Sequence, residues 1–285
     1  MMKKEFIKAG SLDEAVFLLA AHKEDCALIA GGTDVMVEMH KANIAAEKLI
    51  DISSLPELKT VSEKDGLIRI GSGMTHAGCT KNHIIQKHAP ILGEACSWVG
   101  SLQIRNRGTI GGNIISAAAC ADTVPALAAL NGKCVLKSSR GTRELYIGEL
   151  ITGPNKTVRR PDEICTEIII ETMPEAGKYR FLKLIRRNSV AKSRLTVAAV
   201  AVQDDSKRVT DIRISLGSAT PVPRRFTSAE ELFIGKVPDE TLFKKAGEKV
   251  SAEMIAVTGH RWSTEYKKPV VEALTARALR EILEV

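Results

Sequence analysis

The sequence predicts an α+β protein of two domains, and three observations carry that prediction. The first fifty residues alternate helix and strand signals, as a small α/β lobe does. From Leu58 the texture changes to short strands around a long helical region. The last third runs as three strands followed by helices, the order of an α+β domain. A chain of 285 residues is long enough for this plan. The boundary falls near Ala176-Gly177, giving domains 1–176 (lobes of about 1–55 and 56–176) and 177–285.

Each element has a local reason. Ser11-Leu12-Asp13-Glu14 reads as a capping box, and Ala15, Val16, Leu18 and Leu19 continue it as an amphipathic helix. Cys26 to Ala30 is an apolar strand running into Gly31-Gly32-Thr33-Asp34, with a helix from Val35 to Lys41 and a strand from Lys48 to Ile52. Leu58 to Val61 and Leu67 to Gly71 read as strands joined by Glu63-Lys64-Asp65-Gly66, a hairpin turn sequence. Thr75 to Val99 is helical with a break at Pro90, Gly100 to Asn113 is polar and glycine-rich, and Ala117 to Leu130 suits a buried helix. Lys133 to Ser138 and Ile164 to Met173 read as strands flanking a basic, proline-containing loop. Tyr179 to Ile185, Leu195 to Gln203 and Val209 to Leu216 are the three late strands, with Asp204 to Lys207 as a turn. Ser228 to Phe233, Asp239 to Val257 and Thr264 to Leu283 are helical.

Composition excludes several function classes. Hydrophobic residues make up 44% and charged residues 26%, ordinary for a globular chain; aromatics are only 4%, so the core must be aliphatic. No apolar run is long enough to cross a bilayer. Met1 to Lys8 begins like a signal peptide, but Lys8 ends the apolar stretch, and a cytoplasmic location is expected. Cys26, Cys79, Cys96, Cys120, Cys134 and Cys165 form no CxxC pair and match neither zinc nor iron–sulfur spacing, so reduced and mostly buried thiols are expected. The net charge is +7. The densest basic cluster, Lys183, Arg186, Arg187, Lys192 and Arg194, lacks interleaved aromatics, which favours a solvated face or an acidic partner over nucleic acid. The six histidines are scattered with no HExxH pair, there is no GxSxG elbow, and Trp98 and Trp262 are expected to be packing residues.

Two glycine-rich loops carry the chemistry. Ala30-Gly31-Gly32-Thr33-Asp34 ends a strand and opens a helix; glycines there let backbone approach a ligand, and free N–H groups can cradle phosphate. Thr109-Ile110-Gly111-Gly112-Asn113 repeats the paired glycines. Either loop alone is also a common steric turn. Neither matches GxGxxG or a P-loop, which argues against a Rossmann or P-loop nucleotide site. Together they suit a ligand with a diphosphate in the middle and bulky groups at both ends, and FAD is such a ligand.

Ile29 to Asp34, and Gln103-Ile104-Arg105-Asn106-Arg107-Gly108-Thr109-Ile110-Gly111-Gly112-Asn113, resemble the two flavin signatures of the FAD subunits of molybdenum hydroxylases. That family includes xanthine, carbon monoxide and nicotinate dehydrogenases. The resemblance covers nearly the whole chain. It implies a two-lobed FAD-binding domain of the vanillyl-alcohol-oxidase/PCMH type, then a C-terminal domain with a three-stranded antiparallel sheet and a helical bundle. Ala121-Asp122-Thr123-Val124-Pro125-Ala126-Leu127 resembles the segment whose aspartate binds the nucleotide; an N-cap is the structural alternative for Asp122. The strand Asp162-Glu163-Ile164 is similar to one that places a backbone group near the isoalloxazine, and Lys183 resembles a lysine near the flavin. Ser215 to Pro221 resembles the start of the family's C-terminal domain.

The resemblance thus implies FAD contacts at Leu28, Ile29, Ala30, Gly31, Gly32, Thr33, Asp34 and Val35, at Thr109, Ile110, Gly111, Gly112 and Asn113, and at Asp122, Ile164 and Lys183. No residue of this chain is expected to be catalytic or to ligate a metal. Two departures stand out: no aromatic lies between Phe181 and Phe226 to shield the ring, and the cysteine spacing supports no inserted iron–sulfur cluster. The implied function is electron transfer from [2Fe–2S] clusters of a small subunit, through FAD, to NAD+ or another acceptor. Substrate is oxidised on a molybdopterin-binding large subunit, and the assembly is a xanthine dehydrogenase-like heterotrimer. The alternatives are a stand-alone FAD-dependent reductase or oxidase, and a scaffold protein without flavin.

Overall fold

A computed structural model describes residues 4–187 and 190–285. The chain begins with β1 (Glu5–Lys8), α1 (Leu12–His22), β2 (Cys26–Ile29), α2 (Val35–His40) and β3 (Lys48–Asp51). These build a parallel sheet in the order β1-β3-β2. β1 has too few residues for its alternation to stand out, so the sequence pattern does not reveal it; it pairs through Phe6↔Leu49 and Ile7↔Ile50. Ser11 caps α1 by accepting from Glu14 N, whereas the Glu14 carboxylate reaches Gly10 N rather than Ser11 N. Because the strands are parallel, both crossovers are helical, and the first glycine loop leaves the carboxyl end of β2, where ligands of parallel sheets gather.

The next lobe comprises β4 (Val61–Lys64), β5 (Leu67–Gly71), α3 (His76–Lys81), α4 (His83–His88), α5 (Pro90–Ser97), α6 (Leu102–Arg107), α7 (Ile110–Ser116), α8 (Thr123–Ala129), β6 (Lys133–Ser138), β7 (Gly141–Tyr146), α9 (Ile147–Leu150), β8 (Ile151–Gly153), β9 (Lys156–Thr157) and β10 (Ile164–Glu171). Its main sheet is antiparallel, β4-β5-β10-β6-β7. Four sequence readings change here. The first hairpin strand starts at Val61 rather than Leu58, because Pro56 opens a 3-10 turn over Pro56–Lys59. The turn itself is Asp65-Gly66, both with positive φ, the two-residue form that matches strand twist. The stretch 100–113 folds as two short helices, capped by Ser101 and Thr109. The loop between β6 and β10 carries a charged edge strand and a short helix, tied by Arg143 to Glu163 at 2.7 Å.

The C-terminal part holds β11 (Lys178–Leu184), β12 (Leu195–Gln203), β13 (Val209–Gly217), α10 (Thr227–Glu230), α11 (Glu240–Thr258) and α12 (Thr264–Ile282). Its sheet is β11-β12-β13, antiparallel throughout. β12 reads Leu-Thr-Val-Ala-Ala-Val-Ala-Val-Gln, and its first seven residues are buried because both faces are covered. Val197, Ala199 and Ala201 pack with the α11–α12 layer. Ala198 and Val200, on the opposite face, join the core of the FAD-type lobe with Ala126 and Leu127. Small alanines let the sheet sit close to α8, which compensates for the scarcity of aromatics. The helix pair is equally tight: a Cβ at Gly247 would lie 2.5 Å from the Glu272 carbonyl oxygen.

Candidate functional site

A cleft of about 290 Å³ opens between the parallel lobe and the antiparallel sheet. Of the residues expected to bind flavin, Leu28, Ala30, Gly31, Gly32, Thr33, Asp34, Val35, Thr109, Gly111, Gly112, Asn113 and Ile164 line it. Ile29 and Ile110 do not; Ile110 is fully buried beneath. Asp162 and Glu163 precede β10 instead of lying in it, and only Ile164 reaches the wall as strand.

The two loops touch through bare backbone. A Cβ on Gly31 would lie 2.0 Å from the Arg107 carbonyl oxygen, so glycine there serves the contact between loops. Gly32 has φ +75°, the left-handed region that glycine tolerates best. Gly111 stands against Ser72 in the same way, at 2.5 Å from its Cβ.

The donors divide unequally between the loops. In the second, Ile110 N donates to Met74 O, Gly111 N to Ser72 O, Gly112 N to Thr109 Oγ1 and Asn113 N to Thr109 O. These four N–H groups are taken by the protein. In the first loop, the N–H groups of Gly31, Gly32, Thr33, Asp34 and Val35 donate to no described residue. Backbone donors left unpaired beside a cleft call for an acceptor from outside the chain. A phosphate-bearing ligand fits them, with Thr33 adding a hydroxyl.

Asp122 and Lys183 do not line the cleft. They form a buried ion pair at 2.7 Å, with side chains 7% and 2% exposed. Lys183 also donates to Trp98 O at 2.9 Å, and Ser193 Oγ to the other Asp122 oxygen. Burial pushes Asp122 up from the ordinary carboxylate value, opposed by Lys183 and Ser193. Asp122 occupies the N-cap position of α8, but its carboxylate is spent on this network. The link to the cleft is next door: Thr123 Oγ1 donates to Asn113 Oδ1 at 2.6 Å. Lys183 therefore leaves the basic cluster, which is not one uniform solvated face. Asn188 and Ser189 of that stretch lie outside the described residues, as do Met1 to Lys3.

Several cleft residues carry no sequence motif. Arg159 lines it and donates to the Glu163 carbonyl at 2.7 Å; burial pulls its guanidinium down from the usual value, and Glu163 opposes that. Cys165 lies 3.4 Å from Cys134, and that contact, then burial, pushes its thiol well up, so it is an inert wall. His76 also lines the cleft and is 2% exposed. Burial first, then Arg105, holds it down at about 4, with Asp34 opposing. Only its place after Thr75, an N-cap, marks it in sequence. All six cysteines are free thiols, five of them buried. Trp262, expected to pack, is 97% exposed, since it sits in the turn between α11 and α12.

Similarity to known proteins agrees with this architecture. The family model described as FAD binding domain in molybdopterin dehydrogenase matches residues 2–172, and the CO dehydrogenase flavoprotein C-terminal domain matches residues 180–282. The nicotinate dehydrogenase FAD-subunit of Eubacterium barkeri is 31% identical, over 98% of this chain and 96% of that one. The putative xanthine dehydrogenase FAD-binding subunit of Escherichia coli K12 is 30% identical, over 96% and 94%. Carbon monoxide dehydrogenase from Hydrogenophaga pseudoflava superposes with a TM-score of 0.90 at 26% identity, covering 98% of this chain and 96% of that one. The chain belongs to the family of FAD-binding subunits of the molybdenum hydroxylases. Its cofactor is accordingly FAD, and it is an oxidoreductase subunit.

Proposed function

We propose that FAD lies across the cleft with its diphosphate on the free N–H groups of Gly31 to Val35, and that this chain passes electrons within a molybdenum hydroxylase. The observation that carries the placement is the run of five unpaired backbone donors beside the cleft. FAD, when bound, supplies the exchange between one-electron and two-electron carriers. The chain's own work is to bind, orient and exclude water. Ile164 and Cys165 offer a dry wall, Arg159 a fixed positive charge, and Asn113 an amide held by Thr123. Ile29 and Ile110 support the loops from behind. Asp122 and Lys183 lie outside the cleft lining, joined to it through the neighbouring Thr123 and Asn113, with Trp98 5.8 Å from Lys183 Nζ.

The expected partners are a molybdopterin-binding large subunit and a [2Fe–2S] small subunit, in a heterotrimer with NAD+ or another electron acceptor. Relatives named as medium subunits, including the medium chain of the Hydrogenophaga pseudoflava enzyme, support this reading. No helix among the described residues is long and apolar enough to cross a membrane, and we place the complex in the cytoplasm. A xanthine-type substrate rests on the Escherichia coli relative, and the nicotinate relative supports a neighbouring nitrogen heterocycle.

The test is the visible spectrum of the purified chain before and after heat denaturation. Flavin bands that remain in the supernatant are expected. A colourless chain that takes up no added FAD would refute the placement and favour a scaffold role, and colour held in the pellet would point to covalent flavin and an oxidase. Reconstitution with the two partner subunits, then xanthine or nicotinate with NAD+, decides substrate and acceptor.

A further inference from the structure

Among the buried side-chain atoms without a hydrogen-bonding partner in the described residues, only His76 Nδ1 belongs to a residue lining the cleft. An N–H at this enclosed atom would have no acceptor, whereas a bare lone pair is the cheaper state, so the ring proton is left to the other nitrogen. The other ring nitrogen, Nε2, also has no protein partner and is not among the enclosed unpaired atoms, on a residue that lines the cleft. A Cβ built at Gly108 would stand 3.3 Å from His76 Cδ2, the atom bonded to Nε2, and 3.4 Å from Thr33 Oγ1. That edge of the ring therefore lies where the two glycine loops meet, next to the free N–H groups of Gly31 to Val35. His76 N donates to Gly108 O at 3.0 Å, which fixes the backbone beneath the ring.

We propose that His76 binds the diphosphate of FAD as a neutral imidazole, with its proton on Nε2 and donated into the cleft; this rests on the placement of FAD proposed above. Diphosphate oxygens only accept, so the contacting nitrogen must carry the proton. An imidazolium would add a second N–H at the enclosed Nδ1, with no acceptor and with Arg105 nearby. The charged groups facing the ring are Arg105 on α6 and Asp34 at the end of the first loop, and Arg159 lines the same cleft. Their balance, together with burial, holds the ring down at about 4; a diphosphate beside Nε2 pulls that value up, and the lack of an acceptor at Nδ1 opposes the rise. His76 thus adds a directional donor without adding charge, beside the backbone donors of the first loop.

The test uses the full chain, freed of FAD and labelled with ¹⁵N. Ring nitrogens and backbone amides are followed by NMR while ADP is added, with adenosine as the control. The expected result is a proton on Nε2, ring nitrogens that shift with ADP but not with adenosine, and amide shifts at Gly31 to Val35. The His76→Phe chain should lose about tenfold or more in affinity for ADP and FAD, the effect of losing a hydrogen bond to a charged group. His76→Gln, which keeps a neutral donor, should recover most of it. FAD affinity of the wild-type chain should change little between about pH 5.5 and pH 8, because a histidine titrating in that range is what the proposal denies. If the loop amides shift and the ring nitrogens do not, the diphosphate sits in the cleft without His76 and the proposal is overturned. If neither shifts, the placement of FAD falls and the proposal with it. A proton on Nδ1, or affinity that drops steeply as pH rises, overturns the neutral donor.

Discussion

Replacing Gly31 with alanine inserts one methyl group where the two glycine loops touch. The new Cβ would stand 2.0 Å from the Arg107 carbonyl oxygen, 2.7 Å from its carbon and 3.0 Å from Gly108 Cα. Ordinary contacts are about 3.5 Å, so the loops must part by roughly 1.5 Å. No rotamer relieves this, because every obstacle is backbone. The second loop is anchored by Gly108 N to Ile104 O at 2.6 Å and by His76 N to Gly108 O, so the first loop is the one that moves. Overpacking of this kind costs about 1–3 kcal/mol. Part of that cost appears as lost stability. The rest appears when FAD demands the closed arrangement, at about tenfold in affinity per 1.4 kcal/mol. The assays are urea unfolding of the FAD-free chain and fluorescence titration with FAD. We expect a lower unfolding midpoint and FAD binding weakened by about ten- to a hundredfold. Gly153→Ala, with nothing within 4 Å of the new Cβ, is the control and should behave as wild type. A Gly31→Ala chain with an unchanged midpoint and FAD affinity would refute the loop-contact argument.

His76 makes a pH prediction. Its folded value of about 4 lies below the ordinary 6.5, so the unfolded chain binds the extra proton first as pH falls. This group's contribution is full above about pH 6.5 and declines by about 3 kcal/mol toward pH 4, at about 1.36 kcal/mol for each pH unit between the two values; denaturation should show wild type losing about that much more than His76→Gln over the same range. Lys183→Met strands Asp122 in the interior and should cost about 3–5 kcal/mol, whereas the double change Lys183→Met with Asp122→Leu should recover much of it in a double-mutant cycle. Gly247→Ala pushes a methyl group to 2.5 Å from Glu272 O between α11 and α12, and thermal unfolding should show about 1–3 kcal/mol lost with little change in FAD affinity.

Much of the architecture is legible in the sequence because local chemistry and tertiary structure agree. Ser11 caps α1, Asp239 caps α11 by accepting from Leu242 N, and the apolar run over Leu195–Gln203 marks a strand. The two glycine loops stand out because a diphosphate site needs backbone without side chains. β1 escapes a sequence reading because its residues are few and their partner, β3, is about forty residues away. The helices within 100–113 escape it because their polar, glycine-rich sequence is a poor helix former, and only the Ser101 and Thr109 caps and the contacts beneath them tip the balance.

The sequence by itself determined most of the elements, the two glycine loops and the family, since these rest on periodicity, caps and short motifs. Only the tertiary structure decided how the donors are used. The N–H groups of Ile110 to Asn113 in the second loop are consumed by Ser72, Met74 and Thr109, and those of Gly31 to Val35 in the first stay free. It also decided that Asp122 and Lys183 face each other and that His76 stands at the seam of the two loops. Hydrogen-bond partners are chosen across distances in sequence that no local pattern encodes. A buried polar group must pair wherever the fold happens to bring an acceptor, and the donors left over beside the cleft are those that a ligand can pair from outside.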